Sequence, residues 1–552
     1  MTTLFSGWRR LANARCALWS FVVVEVLSIP LLLFWGRDWW FYADDWDFLA
    51  ARTGGNAGDL FRGHYQHWTT VPVLAYRGLW FVFGIRSYVP YQLLVILAHL
   101  AVVALLRIVM RRAGVRPWLA TLTAVIFVFF GSGAENILIA FQITFVGSLM
   151  FGLVQLVLAD HEGTWDRRDW IGLLAGFAGL MCSGVAIAMT IVVGIAMLLR
   201  RGWRIALFHT APLAMAYVIW SQVSPEEIGA GVYRTQSPLQ VVKFMAIGIG
   251  SAFGRLGQVP GFGIVLAALV LVGIVWTLRQ QGLRALRGRL AVPAALLAGA
   301  IVFLLVTGLV RSGQPGPLHA VVGVGPARAR QSRYVYLIVA MALPALALAI
   351  DALARRRRVL AIALVALLLV GVPGNVHELA TYTQMSVKDR RIFKTAVLEA
   401  PRLPRARDLP RATQPGIPQR FAGLSLGWLV DSLPSGRIPP PRHLDAVEIA
   451  TLTQRLALRP GRRPPKGHCR TLDAPGDIEL DRSQAVKLKS GLAGIAYVTP
   501  DGVVAETEPF VPDILVAAVN GLRLRIEPIG GTPIVICAPP FTAVFGATGP
   551  NG

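Results

Sequence analysis

Apolar residues along this chain fall into runs too long for a water-soluble fold. They occupy 17–35, 88–110, 117–131, 136–159, 170–182, 185–199, 205–222, 260–279, 290–310, 334–350 and 359–376. About 20 such residues cross the hydrocarbon core as a helix, and a helix satisfies its backbone polar groups internally. The pattern predicts an α-helical polytopic membrane protein with about eleven transmembrane helices. The runs 117–131, 170–182 and 185–199 are short, so they are expected to be tilted, broken or partly re-entrant. The first run follows Trp8, Arg9, Arg10 and Arg15, and no small-residue cleavage site ends it. It reads as an uncleaved first span.

The gaps carry further elements. Val71–Gly84, within the long segment 36–87, reads as an amphipathic helix at the membrane interface. Pro238–Gly257 reads as part of an outer segment that dips into the membrane. The character changes after 376. Residues 377–465 form a connecting region rich in Pro and Arg, with a short helix expected near Val387–Glu399. Residues 466–552 break into short apolar runs (IEL, AVKLKS, IAYVTP, ILVAAV, LRLRIEPI, PIVICAP) bounded by Gly, Pro and Asp. That spacing predicts a β-sandwich-like domain. The expected division is therefore a membrane domain at 1–376, a connector at 377–465 and a β-rich domain at 466–552.

Composition agrees with the first of these. Only 15% of the 552 residues are charged, and mean hydropathy is +0.57, where a soluble protein carries about 25% charged residues. Net charge is +24, which taken alone would invite a nucleic-acid partner. The distribution excludes it. Of 32 Lys and Arg in residues 1–376, 20 lie in six short alternate gaps: Arg9–Arg15, Arg107–Arg116, Arg167–Arg168, Arg200–Arg204, Arg279–Arg289 and Arg355–Arg358. This is a positive-inside bias rather than a basic stripe for nucleic acid. It places the N-terminus in the cytoplasm of a plasma (inner) membrane, and with eleven spans it places 377–552 outside. In that oxidising compartment a disulfide between Cys469 and Cys537 is expected, whereas Cys16 and Cys182 fall in or beside apolar spans.

Candidate chemistry concentrates on the outer side. FYADDWDFLA, residues 41–50, sets Asp44 and Asp45 side by side among aromatic residues, with Asp47 following. One Asp before an apolar run would read as a helix cap. Adjacent acids beside lipid instead point to a bound cation, a substrate contact or acid/base chemistry. In the same loop HYQHW offers His64 and His67, three apart, as on one helix face, either as metal ligands or as the wall of a substrate pocket. Glu135 begins the span after the turn GSG, with Asn136 beside it and Gln142 beyond, and could equally be a cap. Glu25 interrupts the first span. Arg328, Arg330 and Arg333 crowd the start of a span on the side that should be poor in basic residues. Guanidinium groups there suit a lipid phosphate.

A basic N-terminus, one span and an outer loop with paired acids resemble the GT-C superfamily of membrane glycosyltransferases. HYQHWTTVPVLAYRGLWFVFGIRSYVPY and SRYVY are similar to bacterial members, and the added C-terminal domain resembles that of actinobacterial arabinofuranosyltransferases, with mannosyltransferase-type members also alike. The Ala- and Arg-rich composition fits a high-GC bacterium. The resemblance covers residues 1–376. It implies a transferase that takes a sugar from a polyprenyl-phosphate donor to a cell-envelope glycan, lipid or protein, with inversion. Asp44 or Asp45 would be the general base, and His64, His67, Glu135, Arg328, Arg330 and Arg333 would contact substrates. No WWDxG motif is present, and GWLVD at 427–431 lies in the wrong context, so Asn-linked oligosaccharide transfer is not expected and a divalent metal is unsupported. The rival expectation is a non-enzymatic transporter or flippase of envelope lipids. A third is an envelope-assembly protein whose outer β-domain binds glycan.

Overall fold

The computed structural model describes residues 2–538 apart from 53–55, 57, 225–236, 314–324, 357, 383–386, 417–422, 461–467, 482–483, 513 and 518–521. Parts of the outer segment before Pro238, of the stretch before Arg328 and of the connector 377–465 lie outside the described residues. The chain forms two compact units. The first holds residues 1–39, 54–75 and 89–384; the second holds 40–53, 76–88 and 385–552. This division does not follow the boundary drawn at 376. Two pieces of the first long loop are grouped with the C-terminal residues.

The first unit is helical. Eight helices among the described residues are long and apolar enough to span a bilayer: Asn13–Trp35, Val89–Arg112, Ala140–Ala159, Pro238–Gly257, Phe262–Gln281, Ala291–Arg311, Ser332–Ala354 and Val359–Ala380. Pro117–Val128 and Gly131–Leu138 qualify together but meet at a bend of 52°. The short run at 117–131 is thus a broken one. The bend orphans the carbonyl of Val128, and the buried ring of His99 lies 3.2 Å from it through Nε2, with Nδ1 2.9 Å from the Tyr336 hydroxyl. Arg167–Leu180, Val185–Arg200 and Trp203–Val223 are also helical. At about 1.5 Å per residue the first two extend roughly 21 and 24 Å, less than a hydrocarbon core of about 30 Å.

The helix ends sort into two sets. At one end the arginine clusters converge on buried carboxylates. Asp351 receives Arg116 at 2.8 Å, Arg355 at 2.6 Å and Arg289 at 3.4 Å. Asp169 receives Arg201 at 2.5 Å and lies against His161 and His209 at 3.1 and 3.2 Å. His161, Asp166 and Asp169 lie close enough to share a cation, but Arg201 and Arg168 already occupy the two carboxylates. At the other end the Trp220 indole donates to Phe61 O at 2.7 Å, the Val71 amide to Met181 O at 3.0 Å, and the Ser132 hydroxyl to Glu378 at 2.5 Å.

Pro238–Gly257 has the length of a span, yet both its ends face that second set. Val241 and Phe244 pack at Gly308, near the end of Ala291–Arg311, and Arg255 O accepts from Asn375. Length and composition qualify it as a candidate span.

Among its described residues the second unit contains the helices Val387–Glu399 and Ala446–Ala457 and nine strands. Val387–Glu399 stands where the sequence placed it. The strands are β1 Leu458–Pro460, β2 His468–Leu472, β3 Gly476–Leu480, β4 Ala485–Ser490, β5 Ala493–Val498, β6 Glu508–Phe510, β7 Ile514–Ala517, β8 Leu522–Pro528 and β9 Ile534–Ala538. They form two antiparallel sheets, β1-β7-β4-β9-β2 and β3-β8-β5-β6. Alternate residues such as Ile478 and Leu480, Leu522, Leu524 and Ile526 are buried, with Val486, Leu488, Val516 and Ile536 from the other sheet in the same apolar cluster. A capping box between Asp445 and Glu448 starts Ala446–Ala457. Its buried Gln454 donates to Ile495 O at 3.0 Å, fastening the helix to β5. β2 and β9 pair in a register that sets Cys469 opposite Cys537, and the two are joined by a disulfide. Cys16 is exposed and Cys182 buried, both as free thiols.

Candidate functional site

In the second unit the acid pair sits on a tight turn. Ala43 has φ +46°, left-handed backbone that a side chain adopts only at a cost. The chain then enters the π-helical turn Asp47–Ala51. The turn sends neighbouring acids into different surroundings. Asp45 is 1% exposed. Its Oδ1 accepts from the Tyr76 hydroxyl at 2.5 Å and its Oδ2 from the Tyr42 amide at 2.8 Å. Aromatic rings enclose the turn: Trp46 packs on Trp40 and Phe41, Phe48 on Tyr76, and Tyr42 on Phe393. Burial pushes the Asp45 carboxyl up to about 7, with the two hydrogen bonds opposing the shift and Asp44 adding to it. Asp44 is only half-buried. Asp47, 5% exposed, pairs with the buried Arg52 at 2.9 Å. The adjacent acids thus differ in burial, Asp45 enclosed and Asp44 part-exposed. Tyr76 and Arg52 went unnoticed in the sequence. An apolar helix carrying one Tyr toward a diacid loop was the available signal for the first.

In the first unit His64 and His67 do not share a helix face. Their backbones exchange hydrogen bonds of 2.8 and 2.9 Å across a two-residue turn in which Tyr65 and Gln66 have φ +46° and +69°. This is the positive-φ geometry of a tight hairpin, normally made by Asn and Gly, and strain of this kind tends to collect at binding sites. The His64 ring packs on Tyr65 and Phe141, and the His67 ring on Phe145. Among the described residues the pair belongs to no metal-binding cluster.

His67 instead lines a cavity of 150 Å³ with Tyr65, Thr307, Arg311, Tyr334 and apolar residues of Val185–Arg200 and Ala291–Arg311. Nδ1 of His67 lies 3.2 Å from the Gly184 amide, which donates to it. Burial first, and then the positive charge of Arg311, depress the ring to about 3, so it is neutral and its proton resides on Nε2. The cavity thus combines an imidazole donor and a guanidinium with apolar walls. It suits a molecule with one anionic and one apolar part. Arg311 was not singled out in the sequence, because a lone Arg closing a span looks like an ordinary boundary residue.

Glu135 and Arg333 come together. Arg333 NH1 lies 3.6 Å from Glu135 Oε1, and Gln142 donates to the same oxygen at 2.9 Å. The Glu135 amide donates to Ser332 Oγ at 3.2 Å, so Glu135 is fastened by backbone and side chain to the start of Ser332–Ala354. Arg333 also donates to Gln331 through Nε and NH2 at 3.0 and 2.9 Å. Asn136 is fully buried. Arg328 and Arg330 lie on the 3-10 segment Gly325–Arg330, the former half-buried and the latter exposed. Of the three arginines, Arg333 lies beside the carboxylate of Glu135. No family model, no curated protein and no solved structure matches the chain.

Proposed function

We propose that this chain is a membrane glycosyltransferase of GT-C type. It transfers a sugar from a polyprenyl-phosphate donor to a cell-envelope glycan, lipid or protein on the extracytoplasmic face, with inversion. In this reading eleven helices span the plasma membrane, the N-terminus is cytoplasmic, and the C-terminal β-sandwich-like unit lies outside. Asp44 takes the proton of the acceptor hydroxyl while that oxygen bonds to the anomeric carbon. The sugar–phosphate bond breaks, and polyprenyl phosphate leaves with the bonding electrons.

The observation that carries the reading is the difference in burial between the adjacent acids: the Asp44 carboxylate is part-exposed on a strained, aromatic-walled turn, whereas Asp45 is buried. A general base must be reachable and aimed within hydrogen-bond distance of the proton it takes. Asp45 acts as a positioning residue, locking the turn through Tyr76 and Tyr42. The Arg311–His67 cavity supports the donor class, since an apolar chamber with cationic and N–H donors matches an isoprenoid phosphate. Arg328, Arg330 and Arg333 would contact the same donor's phosphate, and Glu135 would orient Arg333.

The test uses the purified full chain in bilayers with a panel of polyprenyl-phosphate sugars and envelope glycans. Sugar transfer with release of polyprenyl phosphate is expected. Asp44→Asn should fold and bind donor but transfer at least about a hundredfold more slowly, the typical loss of a general base. Lipid movement across the bilayer without sugar transfer would favour the flippase. If Asp44→Asn and Asp45→Asn both transfer at the wild-type rate, the base lies elsewhere, with Glu135 the next candidate.

A further inference from the structure

The helix Thr70–Phe83 ends in three consecutive apolar residues that the fold leaves open: Phe81 is 73% exposed, Val82 65% and Phe83 43%. An exposed triplet of that size is unusual on a water-facing surface. Its position in the chain says what covers it. Val89–Arg112, a helix apolar enough to span, begins six residues after Phe83 along the chain, so the triplet lies in the sequence that leads directly into a span.

The far C-terminal sequence closes on the same spot. Gly84 has φ +59°, and the carbonyl of Arg437 lies so near that an added Cβ would meet it at 2.1 Å. The Ile85 amide donates to that carbonyl at 3.0 Å, and Arg86 donates to Gly436 O. Trp80 packs on Trp428 at 5.0 Å. The Arg437 guanidinium sits over the rings of Phe81 and Trp80, 4.9 and 5.9 Å from their centroids. Stacking covers the face of a guanidinium and leaves its in-plane donors for an anion. Two cations therefore border an exposed apolar triplet, the combination used by elements that lie at a bilayer surface.

We infer that this edge of the C-terminal unit is a bilayer-docking surface, in which Phe81, Val82 and Phe83 enter the boundary between headgroups and acyl chains while Arg86 and Arg437 bind lipid phosphate. The surface holds the unit at the membrane whatever reaction the protein performs. It rests on the chain's being a membrane protein and does not depend on glycosyl transfer.

The experiment uses full-length protein in bilayers of phosphatidylcholine with and without phosphatidylglycerol, with Cys16 replaced by Ser. A nitroxide at Val82→Cys should relax more with oxygen than with a water-soluble nickel complex. Dominant relaxation by nickel would overturn the placement of the triplet. Spin-labelled phosphatidylglycerol should associate in preference to phosphatidylcholine, and Arg86→Gln with Arg437→Gln should lower that preference roughly fivefold per arginine, equivalent to about 1 kcal/mol each. An unchanged preference in the double variant would overturn the headgroup role.

Discussion

Replacing Asp45 separates the two functions a buried carboxyl can have. Its oxygens accept from the Tyr76 hydroxyl and the Tyr42 amide, and it is 1% exposed. Asp45→Ala removes the acceptor that both donors use, at about 1–3 kcal/mol for each, and opens a small void. A loss of roughly 2–6 kcal/mol is expected. Asp45→Asn keeps an acceptor for the Tyr42 amide and offers an N–H to the Tyr76 oxygen, since a hydroxyl can turn to accept. It should lose less than about 1 kcal/mol near pH 5.

The two forms also differ in their response to pH. The wild-type carboxyl is raised to about 7 in the folded state, against about 3.9 when unfolded. Between these values the folded chain binds the extra proton, so stability falls as pH rises, the reverse of a salt-bridged Asp. The penalty is absent below about pH 4, grows through the window and is complete above about pH 7; between about pH 5 and pH 8 it amounts to roughly 3 kcal/mol. Asn does not titrate. Thermal unfolding of both forms in one detergent, across that range, should therefore show Asp45→Asn gaining on wild type as pH rises. A constant difference between the two, or Asn as damaging as Ala, would refute the buried, proton-retaining anchor.

Three further outcomes follow from the geometry. Peptide mapping without reductant should recover Cys469 and Cys537 as one cross-linked species, and Cys469→Ser with Cys537→Ser should destabilise the C-terminal unit by roughly 4 kcal/mol for a closed loop of 68 residues. Arg333→Ala should weaken donor binding by about 1.5–3 kcal/mol, measured by titration with a polyprenyl-phosphate sugar, with Glu135→Gln smaller in the same direction; unchanged donor affinity with a raised acceptor KM would move the pair to the acceptor side. Ala43→Gly should raise Tm, because Gly adopts φ +46° without the steric penalty of about 1–2 kcal/mol, while its looser unfolded chain returns part of the gain.

Local patterns in the sequence identified the class of molecule. Runs of about 20 apolar residues have few outcomes outside a bilayer, and alternating runs between Gly, Pro and Asp marked six of the nine strands. β1, β2 and β6 do not stand out: LRP and EPF are three residues long, and HCRTL has no run of aliphatic residues. The helix Val387–Glu399 was legible from its composition, and Thr70–Phe83 from its apolar run interrupted by Arg77. The arginine clusters were legible as charge, whereas their convergence on Asp351 and Asp169 was not, because those carboxylates reach several helices at once.

Chemical roles belonged to the tertiary structure. Nothing in ADDW distinguishes Asp44 from Asp45; the difference arises because Tyr76, 31 residues away, meets Asp45 in a buried aromatic enclosure. HYQHW reads as a helix face until the hairpin turns its two rings onto different partners. Arg333 reads in the sequence as one of three basic residues before a span, and only the fold shows Glu135 beside it. Periodicity is a property of neighbours in the chain and survives in one dimension. Burial, hydrogen-bond partners and proton affinity are set by whatever the fold brings alongside, which is why residues 40–53 and 76–88 form one unit with residues 385–552 that the order of the chain does not disclose.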